Sequence, residues 1–127
     1  MNDKIIVTGG CGYIGSHTVI ELIENNYKVI ILDDLSNSSE ETLDRIEKIT
    51  GKKPTFINID LKDADKTNEV FKTHKDAKAV IHFAAYKAVG ESINNPLKYY
   101  QNNLYSLLNT LSSQIEIGIN NFILSSS

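Results

Sequence analysis

Apolar residues in this chain gather into short runs separated by longer stretches in which they recur at helical spacing. Lys4–Thr8, Lys28–Asp33, Thr55–Asp60 and Ala79–Ala84, with Asn121–Ser125 as a fifth, are rich in Ile, Val and Phe and read as buried strands. Between them, Ile14, Thr18, Ile20, Leu22 and Ile23 precede an Asn25-Asn26 stop, and the stretch from Leu61 to His74 sets Val70 and Phe71 among charges. Both predict crossover helices, and Arg45 falls inside another. Pro96 suits the first turn of a long helix from about Leu97 to Ile117, with Asn94 or Asn95 as its cap and Gly118 as its stop. Strands alternating with helices of this length predict right-handed crossovers and an α/β fold, a doubly wound parallel sheet of about five strands. No repeat, low-complexity tract or linker divides the chain, so all of it is assigned to one sheet.

A length of 127 residues suits one domain with a real core. The 41% hydrophobic and 23% charged residues are ordinary for a soluble globular protein, and a formal charge of −3 gives no reason to expect nucleic acid or an anionic membrane as partner. The single cysteine, Cys11, excludes an internal disulfide and a cysteine zinc cluster, which suits a reducing compartment and makes the cytoplasm the expected location. No apolar run is long enough to span a bilayer, and no basic leader with an apolar stretch opens the chain. His17 and His82 have no accompanying ligand types and read as packing residues, so no metal is expected.

The chemistry is concentrated after the first strand, in Thr8-Gly9-Gly10-Cys11-Gly12-Tyr13-Ile14-Gly15-Ser16-His17. Gly9 can take the tight turn, Gly12 lets the backbone approach a pyrophosphate, and Gly15 lets the helix pack closely on the strand. Free N–H groups at the helix start would then face phosphates. Asp33 ends the second strand about 20 residues on, where a carboxylate accepts hydrogen bonds from ribose hydroxyls. It would repel a 2′-phosphate and has no arginine beside it, so NAD is expected rather than NADP. Asp34 competes for the ribose, although a turn role ahead of Ser36-Asn37-Ser38 suits it better. Gly15 is followed by Ser16-His17 and not by Lys-Ser/Thr, which disfavours a nucleoside-triphosphate loop. Together these features predict an NAD(P)-binding Rossmann domain.

The glycine turn resembles that of the extended short-chain dehydrogenase/reductases. Val80-Ile-His-Phe-Ala-Ala-Tyr-Lys-Ala-Val-Gly-Glu-Ser92 and Pro96-Leu-Lys-Tyr-Tyr-Gln-Asn-Asn103 resemble, within them, the UDP-glucose 4-epimerase family, over essentially the whole chain. The resemblance implies that Tyr13 and Ile14 cover the pyrophosphate. It gives Asp33, Asp34, Leu35, Ser36, Asn37 and Ser38 to the adenosine ribose and its surroundings, and Asp60 and Leu61 to the adenine edge. Phe83, Ala84, Ala85, Tyr86 and Lys87 would line the cofactor cleft, Asn102 would touch the nicotinamide side, and Ser127 would bond the sugar's 4-hydroxyl. Strand-end packing is the lesser reading of Ala84 and Ala85, and Lys87 taken alone reads as a surface lysine. The family usually has Gly-Leu at Ala85-Tyr86, Gly-Thr at Ser106-Leu107, and Ala or Ser at Cys11, which reads as a small buried filler. Tyr99, Tyr100 and Tyr105 read as a core or subunit-contact stripe.

The family's activity, as the resemblance implies it, is the NAD-dependent interconversion of UDP-glucose and UDP-galactose through a 4-keto sugar. A tyrosine assisted by a lysine four residues on takes the proton. No Tyr-x-x-x-Lys occurs in this sequence. Residues 1–127 are therefore expected to be the N-terminal part of the NAD-binding domain, without the catalytic segment and substrate domain and inactive alone, with a fifth strand left as an open edge. The full-length protein would bind a UDP-sugar and form a homodimer. Two alternatives stay open: an NAD-binding module without catalysis, and another nucleotide-sugar epimerase or dehydratase of the superfamily. The choice between UDP-glucose and its N-acetylated counterpart belongs to residues beyond Ser127.

Overall fold

A computed structural model describes residues 3–35, 39–83 and 96–125, with the side chains of residues 99 and 100 excepted. Five strands, β1 (Lys4–Thr8), β2 (Lys28–Asp33), β3 (Thr55–Asn58), β4 (Ala79–His82) and β5 (Asn121–Leu124), form one sheet in the order β3-β2-β1-β4-β5. Every neighbouring pair is parallel. Among the described residues four helices alternate with them: α1 (Tyr13–Glu24), α2 (Glu41–Thr50), α3 (Ala64–Thr73) and α4 (Pro96–Ile117). This is the α/β, doubly wound arrangement expected of a Rossmann domain.

β1 and β2 read as continuous apolar runs because both of their faces are covered, whereas the outer strands β3 and β5 are half-buried to exposed. On one face Ile5, Val7, Val29 and Ile31 pack against Val19 and Ile23 of α1 and Leu43 and Ile46 of α2. On the other Ile6, Ile30, Leu32 and Val80 meet Phe71 of α3 and Ile119 behind α4. Phe71 is the largest fully buried side chain among the described residues.

Local chemistry sets the helix ends. Asn25 closes α1 with its side-chain amide on Glu21 O at 2.8 Å, and Asn26 turns the chain at φ 69°. Gly118, at φ 88°, ends α4. The helix expected from Leu61 starts only at Ala64. Asp60 first makes a turn, accepting from Lys62 N at 2.9 Å, and Asp63 then caps α3 by accepting from Lys66 N at 3.1 Å. The same turn ends β3 at Asn58 rather than Asp60, although Ile59 N still donates to Asp33 O at 3.2 Å. β4 stops at His82 because its partner β1 ends at Thr8.

Candidate cofactor site

Thr8, Asp33, Asn58, His82 and Leu124 end their strands on one edge of the sheet, the carboxyl edge where open α/β sheets bind ligands. The glycine turn is built there. Gly9, at φ 70°, hangs from β2 through its N–H on Leu32 O at 2.7 Å, and its own carbonyl accepts from Gly12 N at 3.1 Å. Gly15 sits so close beneath that a Cβ on it would lie 2.2 Å from Gly9 O. Gly12 enters α1 in an extended conformation with no side-chain cap, and no acidic residue occupies the first turn. α3, by contrast, is closed by Asp63. The start of α1 thus offers main-chain donors and a positive dipole end with no side chain competing for them. Tyr13 and Ile14 flank it, 82% and 43% exposed.

Asp33 is brought directly to this turn. Its Oδ2 accepts from Cys11 N at 3.1 Å and its Oδ1 from Leu35 N at 2.7 Å. Burial raises its pKa above the usual carboxylate range and Asp34 adds to this, while those backbone donors pull it down. A carboxylate has room for about four donors, so further hydrogen bonds from a ribose can be accepted. Leu35 takes φ 63°, held by that bond to Asp33. Asp34 is exposed, as is Asp60; Leu61 is buried with its carbonyl accepting from Asn109 Nδ2 at 2.8 Å. Phe83 follows β4, half-buried. Asn102, on α4, is 8% exposed, and its Nδ2 is the one buried side-chain polar atom without a hydrogen-bond partner among the described residues. Ser36, Asn37, Ser38, Ala84, Ala85, Tyr86, Lys87 and Ser127 lie outside the described residues.

The three other candidates from the sequence divide. Cys11 is buried and its thiol is pushed up to about 12, by burial first and then by Asp33 and Glu40, so it stays protonated and unreactive at neutral pH. His17 does not pack inside as expected. It is exposed, its ring edge-on to Tyr13 at 4.9 Å, because α1 turns that face to solvent. His82 is buried against Thr8, whose hydroxyl lies 2.7 Å from Nδ1. The pairing was missed from the sequence: Thr8 carried no role there, and only the strand order makes it a neighbour of His82.

Burial pushes His82 down to about 4, against about 6.5 in an unfolded chain. Between those values the unfolded chain binds a proton that the folded chain does not. The contribution is therefore fully present above about pH 6.5 and is lost as pH falls toward 4. His74, also lowered by burial, adds a slope of the same sign. Unfolding free energy should fall by up to about 1.4 kcal/mol per pH unit through this range on account of His82. The H82N chain should show a shallower slope in denaturant titrations at pH 5 and 6.5; identical slopes would refute the assignment.

Among the described residues no helix is long and apolar enough to cross a membrane, and no group of three or more His, Cys, Asp or Glu could hold a metal ion. The model of the NAD dependent epimerase/dehydratase family matches residues 5–127. A UDP-glucose 4-epimerase from Erwinia amylovora is 52% identical over 124 residues, 98% of this chain and 36% of its own length. Two crystal structures of UDP-glucose 4-epimerases superpose closely. That from Stenotrophomonas maltophila, with NAD and formylated UDP-arabinopyranose, has a TM-score of 0.92 at 38% identity, covering 99% of this chain and 37% of that one. That from Bifidobacterium longum, with NAD+ and UDP, has a TM-score of 0.91 at 44% identity, covering 98% and 37%. The chain thus spans about a third of the length of these three proteins.

Proposed function

The chain belongs to the NAD dependent epimerase/dehydratase family, and from that premise we propose that it is the N-terminal part of the NAD-binding domain of a UDP-glucose 4-epimerase. The observation that carries this reading is the uncapped start of α1, seated by Gly15 against Gly9 and adjoining the Asp33 carboxylate. The residues present fit NAD. The α1 donors suit a pyrophosphate, Asp33 suits a ribose with free hydroxyls, and the orphaned Asn102 Nδ2 is a buried donor in need of an acceptor.

Tyr13 and Ile14 would cover the pyrophosphate, Asp33 to Ser38 would surround the adenosine ribose, and Asp60 and Leu61 would face the adenine. Phe83 to Lys87 would wall the cleft, and Asn102 would donate on the nicotinamide side. Bound NAD would supply the acceptor and then the donor of the hydride exchanged at the sugar's C4. Ser127 would hold the 4-hydroxyl for the proton transfer, while the Tyr-x-x-x-Lys pair and the UDP-sugar domain would come from the further two thirds that such enzymes have.

Residues 1–127 alone should therefore bind NAD without turning over UDP-galactose. Calorimetric titration should show NAD binding at least about tenfold tighter than NADP, a difference of about 1.4 kcal/mol. Absence of NAD binding would end the reading; release of UDP-glucose from UDP-galactose by these residues alone would overturn the inactive-alone part.

The reading extends to a homodimer in a cytoplasmic setting. α4 buries polar Asn102, Thr110, Ser113 and Gln114 yet exposes Leu97, Leu104, Leu108 and Ile115, which share one stripe at heptad spacing. A helix so inverted suits pairing with the same stripe of a second copy, with no charged residue on the seam. A monomer in analytical sedimentation of the full-length protein at high concentration would remove this part.

A further inference from the structure

We propose that His82, acting through the Thr8 hydroxyl, is a positioning residue that fixes the two chain segments bordering the β1–β4 crevice and thereby the nicotinamide half of the cofactor; this rests on the NAD reading above. In the order β3-β2-β1-β4-β5 the chain leaves β1 toward one side and β5 lies on the other, so the carboxyl ends of β1 and β4 border the switch point. Thr8 and His82 are the terminal register pair of those strands, 0% and 3% exposed.

Phe83 N donates to both Thr8 O at 3.0 Å and Thr8 Oγ1 at 3.1 Å. The same hydroxyl lies 2.7 Å from His82 Nδ1, a contact that a neutral ring can make in either tautomer because a hydroxyl both donates and accepts. The ring is held from behind by Phe122 of β5, with centroids 6.2 Å apart and planes at 27°. One buried hydroxyl therefore ties the residue just before the Gly9 turn to Phe83, the residue that follows β4. Just past this rung β1 ends and Gly9 turns the chain at φ 70°. His82 touches no reacting atom in this scheme; it sets where Phe83 and Gly9 stand.

The pair can be dissected because asparagine places a polar atom where Nδ1 stands, leucine keeps bulk without it, and valine is the shape of threonine. NAD and AMP would be titrated against the wild-type chain and H82N, H82L and T8V. AMP reaches the ribose site at Asp33 but not across the crevice. H82L and T8V should each lose about tenfold or more in NAD affinity with AMP affinity changed less than about threefold, and H82N should stay near wild type. Unchanged NAD binding in H82L, equal losses for NAD and AMP, or failure of H82N to rescue would overturn the proposal. Amide exchange at Phe83, read by NMR without nucleotide, must also quicken about tenfold in H82L and T8V but not in H82N. It tests the anchor even if the wild-type chain binds no NAD, which would sink the cofactor reading instead.

Discussion

Replacing Gly15 with alanine is expected to weaken NAD binding by about a hundredfold and to lower the melting temperature by several degrees, up to about 10 °C. Alanine is ordinarily the better helix residue by roughly 1 kcal/mol, so propensity alone would predict a gain. The local geometry reverses the sign. The new Cβ would stand 2.2 Å from Gly9 O and 3.0 Å from the carbonyl carbon, and neither is the tip of a flexible side chain that could swing aside. α1 must lift off the turn, and overpacking of this kind costs about 1–3 kcal/mol, which at this chain length corresponds to several degrees and up to about 10 °C. The cofactor loses more. Lifting α1 moves the donors at its start, and a misplacement of about 1 Å in a positioned site is worth about a hundredfold. Differential scanning calorimetry with and without NAD checks both parts. A G15A chain that melts with the wild type and is still stabilised by NAD would remove the close approach from the account of this site.

Asp33→Ala should weaken NAD binding by roughly 30-fold to 1000-fold while narrowing the preference over NADP. Two ribose hydroxyls donating to a carboxylate are worth about 2–4 kcal/mol together, since hydrogen bonds to charged groups lie at the upper end of the net range. The fold should tolerate the change better than the site does. Removing Asp33 leaves Cys11 N and Leu35 N without their acceptor, but it also removes a carboxylate whose burial opposes its charge. The raised pKa has a sign of its own. A folded-state pKa above the unfolded value means that the folded chain holds the proton longer, so this group's contribution to stability declines as pH rises through that window. NAD binding should run the opposite way, because a ribose held by Asp33 would need the ionised form, and should weaken on acidification sooner than an ordinary aspartate would require. Titrating NAD and NADP into wild type and D33A at pH 5 and 7 separates these effects. Equal NAD affinity in the two chains would disprove the ribose contact.

The centre of the sheet was legible because β1 and β2 are buried on both faces, which leaves unbroken runs of Ile and Val that no surface element would carry. Asp33 and the glycine turn were legible for a related reason: a strand end, a tight turn and a close helix approach each demand a residue type that few other features demand. Strand ends were less so, since Asp60 belongs to an apolar run by position but to a turn by its side-chain bond to Lys62 N. His17 shows the limit of reading a histidine from its neighbours, because the face α1 presents there is decided by Gly15 and Val19 packing beneath it. Thr8 was hidden most completely. Its partner is far away in sequence, and a threonine at the end of a strand carries no signal until β1 and β4 are known to lie side by side. α4 misleads in another way, since its buried side is the polar one.

The double coverage of the sheet has a consequence for how the chain finds its alignment. In a sheet with one wet face, sliding a strand by one residue exchanges apolar for polar side chains, and the error is expelled. Here Ile5, Ile6 and Val7 are all buried, as are Val29 to Leu32, so a slip along either strand would exchange one apolar set for another. What resists the slip is the boundary. Lys4 and Lys28 pair at the amino end, and Thr8 meets His82 at the carboxyl end, while Asp33 beside Cys11 closes β2. The polar residues gathered where a dinucleotide would lie are thus also the stops that align the strands during folding. Variants at Thr8, Asp33 or His82 should consequently be read for folding rate as well as for affinity.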